Sequence, residues 1–201
     1  GKKYLIRSCV LYFAVCFIHE RYLALLPLIY LAILYKKGKK KAFWFLPAGV
    51  FAVVMAIRVL TTGGVAPAGT GGTNVAETFS VMTSIRYAID QVLYIFGINA
   101  GPGHLSGASW TESPSWIHVQ IIAADLVLLV LVILAVIRLI RDKEGRLKYL
   151  RDISLFLIFI ALCIGASSVT IRVETRWIYV SMTAAYLLAA YLYGMITAKP
   201  E

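Results

Sequence analysis

The chain has 201 residues, 60% of them apolar and only 15% charged, with a mean hydropathy of +0.80. A water-soluble core of this length has no use for so many apolar side chains, so composition excludes the soluble globular class and makes the bilayer the relevant solvent. The net charge of +10 does not indicate nucleic acid either, because the basic residues gather at the ends of apolar runs instead of lining one face among aromatics.

The expected fold is therefore all-α: a polytopic integral membrane bundle of about six transmembrane helices, with one large outer loop carrying an interfacial helix. Apolar runs at 4–18, 22–35 and 43–60 form a first block, 1–60, and runs at 120–140, 153–169 and 177–195 form a second, 120–201. Residues 61–119 lie between them. The opening Gly1-Lys2-Lys3 and its apolar run imitate a signal peptide, but no A-x-A site follows. The chain also lacks an initiator Met and reads as an internal piece of a longer protein. Cys9, Cys16 and Cys163 all fall within apolar runs, where they read as small packing residues.

His19-Glu20-Arg21 interrupts residues 4–35. One helix through that trio would bury three polar side chains in hydrocarbon and put Lys2 and Lys3 opposite the lysines of 36–41. A hairpin keeps both groups on one side. With both termini cytoplasmic, fifteen of the twenty basic residues then lie inside, in accord with the positive-inside rule. The first two spans are short, since fifteen helical residues rise roughly 22 Å against a hydrocarbon core of roughly 30 Å. The 19–21 turn should thus sit recessed beneath the outer surface, where polar turns line cavities.

The 61–119 loop opens with Gly-Thr runs that lack a phosphate-loop lysine, which excludes a nucleotide site. Residues 75–97 carry Phe79, Met82, Ile85, Ile89, Val92, Leu93 and Phe96 at helical spacing, with Arg86 and Asp90 on the polar side, as suits an amphipathic helix along the interface. Trp110 and Trp116 mark the entry to the fourth span as an aromatic belt. The charged turn 141–152 reads as structural. His104 and His118 lack zinc-ligand spacing, so no metal and no other cofactor is expected.

Two spans that run inward begin alike, with His19-Glu20-Arg21-Tyr22 and with Arg172-Val173-Glu174-Thr175-Arg176-Trp177. Each joins a carboxylate, a guanidinium and an aromatic, and the planar donor fork of arginine suits a phosphate at the outer leaflet. His19, Glu20, Arg21, Tyr22, Arg172, Glu174, Arg176 and Trp177 are accordingly the candidate lipid-phosphate site, with Asp125, Arg86 and His104 as secondary candidates. The bland alternative is that the glutamates pair with the arginines and merely anchor helix ends; Asp125 likewise reads as a partner for Arg58.

The run His19-Glu20-Arg21-Tyr22-Leu23-Ala24-Leu25-Leu26-Pro27 resembles one in polytopic glycosyltransferases of the type called GT-C. In that family the glutamate, arginine and tyrosine open a late membrane helix on the outer side. The resemblance covers about ten residues firmly and implies transfer of a sugar from a polyprenyl-phosphate-linked donor on the outer face of a bacterial cell membrane. It also implies a catalytic aspartate in an outer loop upstream of Gly1, leaving the arginines here to grip the lipid phosphate. Membrane lipids and that donor are the expected partners. A transporter or flippase for an anionic lipid or solute, a surface-polysaccharide polymerase or ligase, and a membrane scaffold without chemistry stay open beside it.

Overall fold

A computed structural model of the chain describes residues 2–18, 20–35, 42–63, 80–99, 108–169 and 175–198. Among these the chain is a polytopic membrane helical bundle without strands. Its elements in order are α1 (Lys2–Ile18), a 3-10 turn (Glu20–Leu25), α2 (Leu26–Leu34), α3 (Ala42–Thr62), α4 (Val81–Ile95), a second 3-10 turn (Trp110–Glu112), α5 (Ser115–Arg141), α6 (Arg146–Ser168) and α7 (Thr175–Thr197).

Among the described residues, four stretches are long and apolar enough to cross a membrane: Phe43–Thr61, Ser115–Arg141, Arg146–Ser168 and Arg176–Thr197. The 17 residues of α1 rise about 25 Å and fall short of a hydrocarbon core of about 30 Å. The second run is broken into the 3-10 turn and the short α2. Pro27 explains the break: it has no N–H to give and fits only the first turn of a helix, so α2 starts afresh beside it. Helix α6 starts at Arg146, ahead of the apolar run opening at 153, because Arg, Leu and Lys are good helix formers and a charged first turn is at home in the headgroup layer.

Two packed groups result. Tyr12 and Cys16 of α1 meet Ile29 and Ile33 of α2 and Val54 of α3, and the Tyr12 hydroxyl donates to the Leu23 carbonyl at 3.1 Å, which holds the hairpin tip against α1. Ala135 of α5 packs with Leu192 and Met195 of α7 beside Tyr149 and Ile153 of α6. Helix α6 joins the groups, since both the 3-10 turn and α2 pack on it and Tyr35 bonds Ser154 at 3.0 Å. Cys9, Cys16 and Cys163 are buried thiols, none of them in a disulfide. Most of α5 is exposed apolar surface, as expected where lipid replaces protein as the neighbour.

Helix α4 packs with the face that carries Tyr87, Gln91 and Tyr94 inward. Its protein contacts run through Tyr87, Gln91, Tyr94 and Ile95 against α6 and α7, while Met82, Ile85, Ile89, Val92 and Phe96 are exposed. That uncovered apolar stripe is the one the periodicity singled out, and it is the face an interfacial helix turns to lipid. Ser80 caps the helix by accepting from the Thr83 N–H at 3.3 Å. Arg86 is exposed, and it forms no ion pair with Asp90.

Candidate functional site

The bundle has two ends. One carries the α5–α6 turn and the last turn of α7; the other carries the end of α6, the start of α7 and α4. Both starts singled out in the sequence are tied to α6. The 3-10 turn that opens with Glu20 packs on α6, and α7, which carries Arg176 and Trp177 in its first turn, packs along α6 as well. Helix α6 is thus the common wall between the two.

Within the first start, Glu20 and Arg21 begin the 3-10 turn, and Tyr22 follows half-buried. In the second, Arg176 is exposed, Trp177 is 2% exposed, and Ile178 is fully buried among Tyr87, Tyr94, Ile95 and Met182. The rim-to-core step from Arg176 to Ile178 follows from α4 covering the top of α7. Trp177 is therefore a packed residue. His19, Arg172, Glu174 and His104 lie outside the described residues.

Of the secondary candidates, Arg86 is exposed on α4, the helix that covers the start of α7. Asp125 is half-buried one-third of the way along α5 and forms no ion pair among the described residues, so its pairing with Arg58 is not made. Arg58 is instead buried on α3. His118 is occupied by Trp110: the rings stack with centroids 4.1 Å apart, and His118 Nε2 lies 2.7 Å from the Trp110 carbonyl oxygen. Beside it, Ser109 and Glu112 form a capping box, and the Ser109 backbone and hydroxyl donors hold the exposed Glu112 carboxyl below its usual range.

The polar cluster that sequence reasoning missed lies where α4 meets the end of α6. Gln91 is fully buried; its Nε2 donates to Ser168 Oγ at 2.9 Å and to the Tyr87 carbonyl at 3.1 Å, and its Oε1 accepts from Ser167 Oγ at 2.6 Å. The donors and acceptor of a buried amide are thereby satisfied, which is the condition for keeping one there. The local hint is a glutamine on the same face as Tyr87 and Tyr94 of α4. At the opposite end, the turn read as structural borders an open cleft of about 960 Å³ between α5, α6 and α7, lined by Arg138, Arg141, Lys143 and Lys148 among others. No protein-family model matches the chain, and neither the curated proteins nor the solved structures include a match.

Proposed function

We propose that the chain is the membrane portion of a glycosyltransferase that takes a sugar from a polyprenyl phosphate at the outer face of a bacterial cell membrane, with the α5–α6 turn and both chain ends in the cytoplasm. The observation that supports this reading is that the 3-10 turn opened by Glu20 and helix α7, which carries Arg176, both pack on α6, the turn in a hairpin too short to reach the far headgroups. Arginine is suited to a lipid-borne phosphate, because charge-assisted hydrogen bonds gain where water is scarce. The likeness of residues 19–27 to the GT-C run supplies the sugar-transfer chemistry. The amphipathic α4, docked across the start of α7, leaves its apolar stripe for the acyl layer from which such a donor would enter.

In this reading Arg21 and Arg176 bind and orient the phosphate, and a carboxylate supplied from outside these residues takes the acceptor proton. Membranes from cells expressing the full protein with Arg21→Ala or Arg176→Ala should lose transfer from a radiolabelled polyprenyl-phosphate sugar by at least about a hundredfold, the scale of removing a charge-stabilising donor from a reacting centre. Protein level and membrane insertion should be unchanged. Full transfer by both variants would remove these arginines from the site, whereas sugar-independent lipid scrambling by the purified protein would favour the flippase.

A further inference from the structure

We propose that the cleft at the α5–α6 turn is a binding site for a phosphate-bearing anion, and that its occupant is the headgroup of an anionic phospholipid. Four cations line it: Arg138 and Arg141 from the last turn of α5, Lys143 from the turn and Lys148 from the first turn of α6. Three carboxylates face them. Asp142 is occupied, accepting from the Gly145 N–H at 2.8 Å and lying 3.5 Å from Arg138. Asp152 is also occupied, accepting from Arg151 at 2.9 Å and from the Tyr191 hydroxyl at 3.1 Å. Arg141, Lys143, Lys148 and Glu144 form no ion pair among the described residues, which leaves a surplus of two positive charges around the cleft.

Two further details fit an anion. The Nε of Arg138 is buried and meets no acceptor among the described residues, although the cost of leaving such a donor unpaired normally selects against it. The carbonyls at the end of α5, which would repel an anion, are capped by Arg146: its Nε donates to Leu139 at 2.8 Å and its Nη2 to Ile140 at 3.0 Å. The neighbouring surface favours a lipid over a free ion. Ile140 is 64% and Leu147 78% exposed directly beside the turn, and Tyr191, Gly194, Met195 and Ala198 of α7 form the third wall. A basic pocket opening between membrane helices, with exposed apolar side chains beside it, matches a headgroup with its tails attached.

The site is independent of the glycosyltransferase reading, since it lies at the opposite end of the bundle and shares no residue with it. The test is thermal unfolding of the purified protein in a neutral detergent, titrated separately with dioctanoyl phosphatidylglycerol, dioctanoyl phosphatidylcholine and inorganic phosphate. Phosphatidylglycerol should raise the unfolding temperature saturably and phosphatidylcholine should not. The Arg141→Gln/Lys148→Gln variant, which changes only exposed side chains, should need about thirtyfold more phosphatidylglycerol, about fivefold for each charge removed. Lys3→Gln/Arg7→Gln removes as much charge from α1, where neither residue lines the cleft, and should titrate like the parent. Equal weakening by both variants would show an effect of net charge and overturn the site. Stabilisation by inorganic phosphate at the same concentration would uphold the anion site but overturn the lipid as its occupant.

Discussion

Gln91→Ala is expected to destabilise the protein by about 2 to 3 kcal/mol, combining the loss of a buried amide's hydrogen bonds with the cavity left behind. The size of the effect depends on what remains paired. Ser167 Oγ lies 2.9 Å from the Cys163 carbonyl and Ser168 Oγ 2.7 Å from that of Ile164, so both serines keep an acceptor one turn back when the glutamine is gone. The reverse does not hold. In Ser167→Ala/Ser168→Ala the Gln91 Oε1 loses its donor inside the protein, at a cost of about 1 to 3 kcal/mol. Gln91→Leu fills most of the volume and strands no serine, so it should be the mildest of the three, at about 1 kcal/mol. Thermal unfolding in detergent measures the order directly. If Gln91→Leu proved as damaging as Gln91→Ala, the lost hydrogen bonds alone would set the cost and the predicted order would fail.

Gly97→Val is expected to cost more, about 3 to 5 kcal/mol, because two penalties act at one residue. Helix α4 ends in a Schellman arrangement, with the Ile98 N–H donating to Leu93 at 2.9 Å and the Gly97 N–H to Tyr94 at 3.0 Å. Closing it puts Gly97 at φ +75°, a region that costs a residue with a β-carbon about 1 to 2 kcal/mol and a β-branched one more. A β-carbon there would also lie 2.9 Å from Cγ1 and 3.0 Å from Cγ2 of Ile121 on α5, and so would have to displace a β-branched side chain close to its root. Overpacking of that kind adds about 1 to 3 kcal/mol. The terms can be separated. Adding Ile121→Ala should recover the steric part and leave the backbone part, giving a favourable coupling of at least about 1 kcal/mol in a double-mutant cycle. No coupling would mean that Gly97 matters for its backbone alone.

These two positions show what the sequence made legible and what it did not. Membrane helices are read from hydropathy because lipid demands apolar side chains over a fixed length, and α3, α5, α6 and α7 satisfy that demand one segment at a time. The break after residue 18 was legible for the same reason: His19-Glu20-Arg21 cannot lie in mid-bilayer without company. Periodicity in a membrane protein, however, reports which face meets lipid. The apolar stripe of α4 pointed away from its protein partner, and the docking face held a glutamine and two tyrosines. Nothing local announces that Gln91 will meet serines 76 and 77 residues later.

The candidate site divides in the same way. The composition of the two Glu- and Arg-bearing starts could be read directly, but their shared wall could not, because the contact of the hairpin turn with α6 spans the whole outer loop. The basic turn at 141–152 was visible as charge; the cleft behind it depends on a third wall from α7, which no charge pattern reveals. Asp125 shows the opposite error. An acid within an apolar run invites a buried partner, yet α5 is the helix with the most exposed surface, and its acid is only half-buried.

Sidedness tests the account most directly, since the recessed phosphate site requires the start of α7 and the α5–α6 turn to face opposite compartments. With Cys9, Cys16 and Cys163 replaced by Ala, single cysteines can be placed at the exposed positions Arg176 and Lys143 and challenged in intact cells with a membrane-impermeant maleimide. Arg176→Cys should be labelled in intact cells, and Lys143→Cys only after permeabilisation. Labelling of both from one side, or failure of Arg176→Cys to react from either side, would contradict a phosphate site that opens to the outer face.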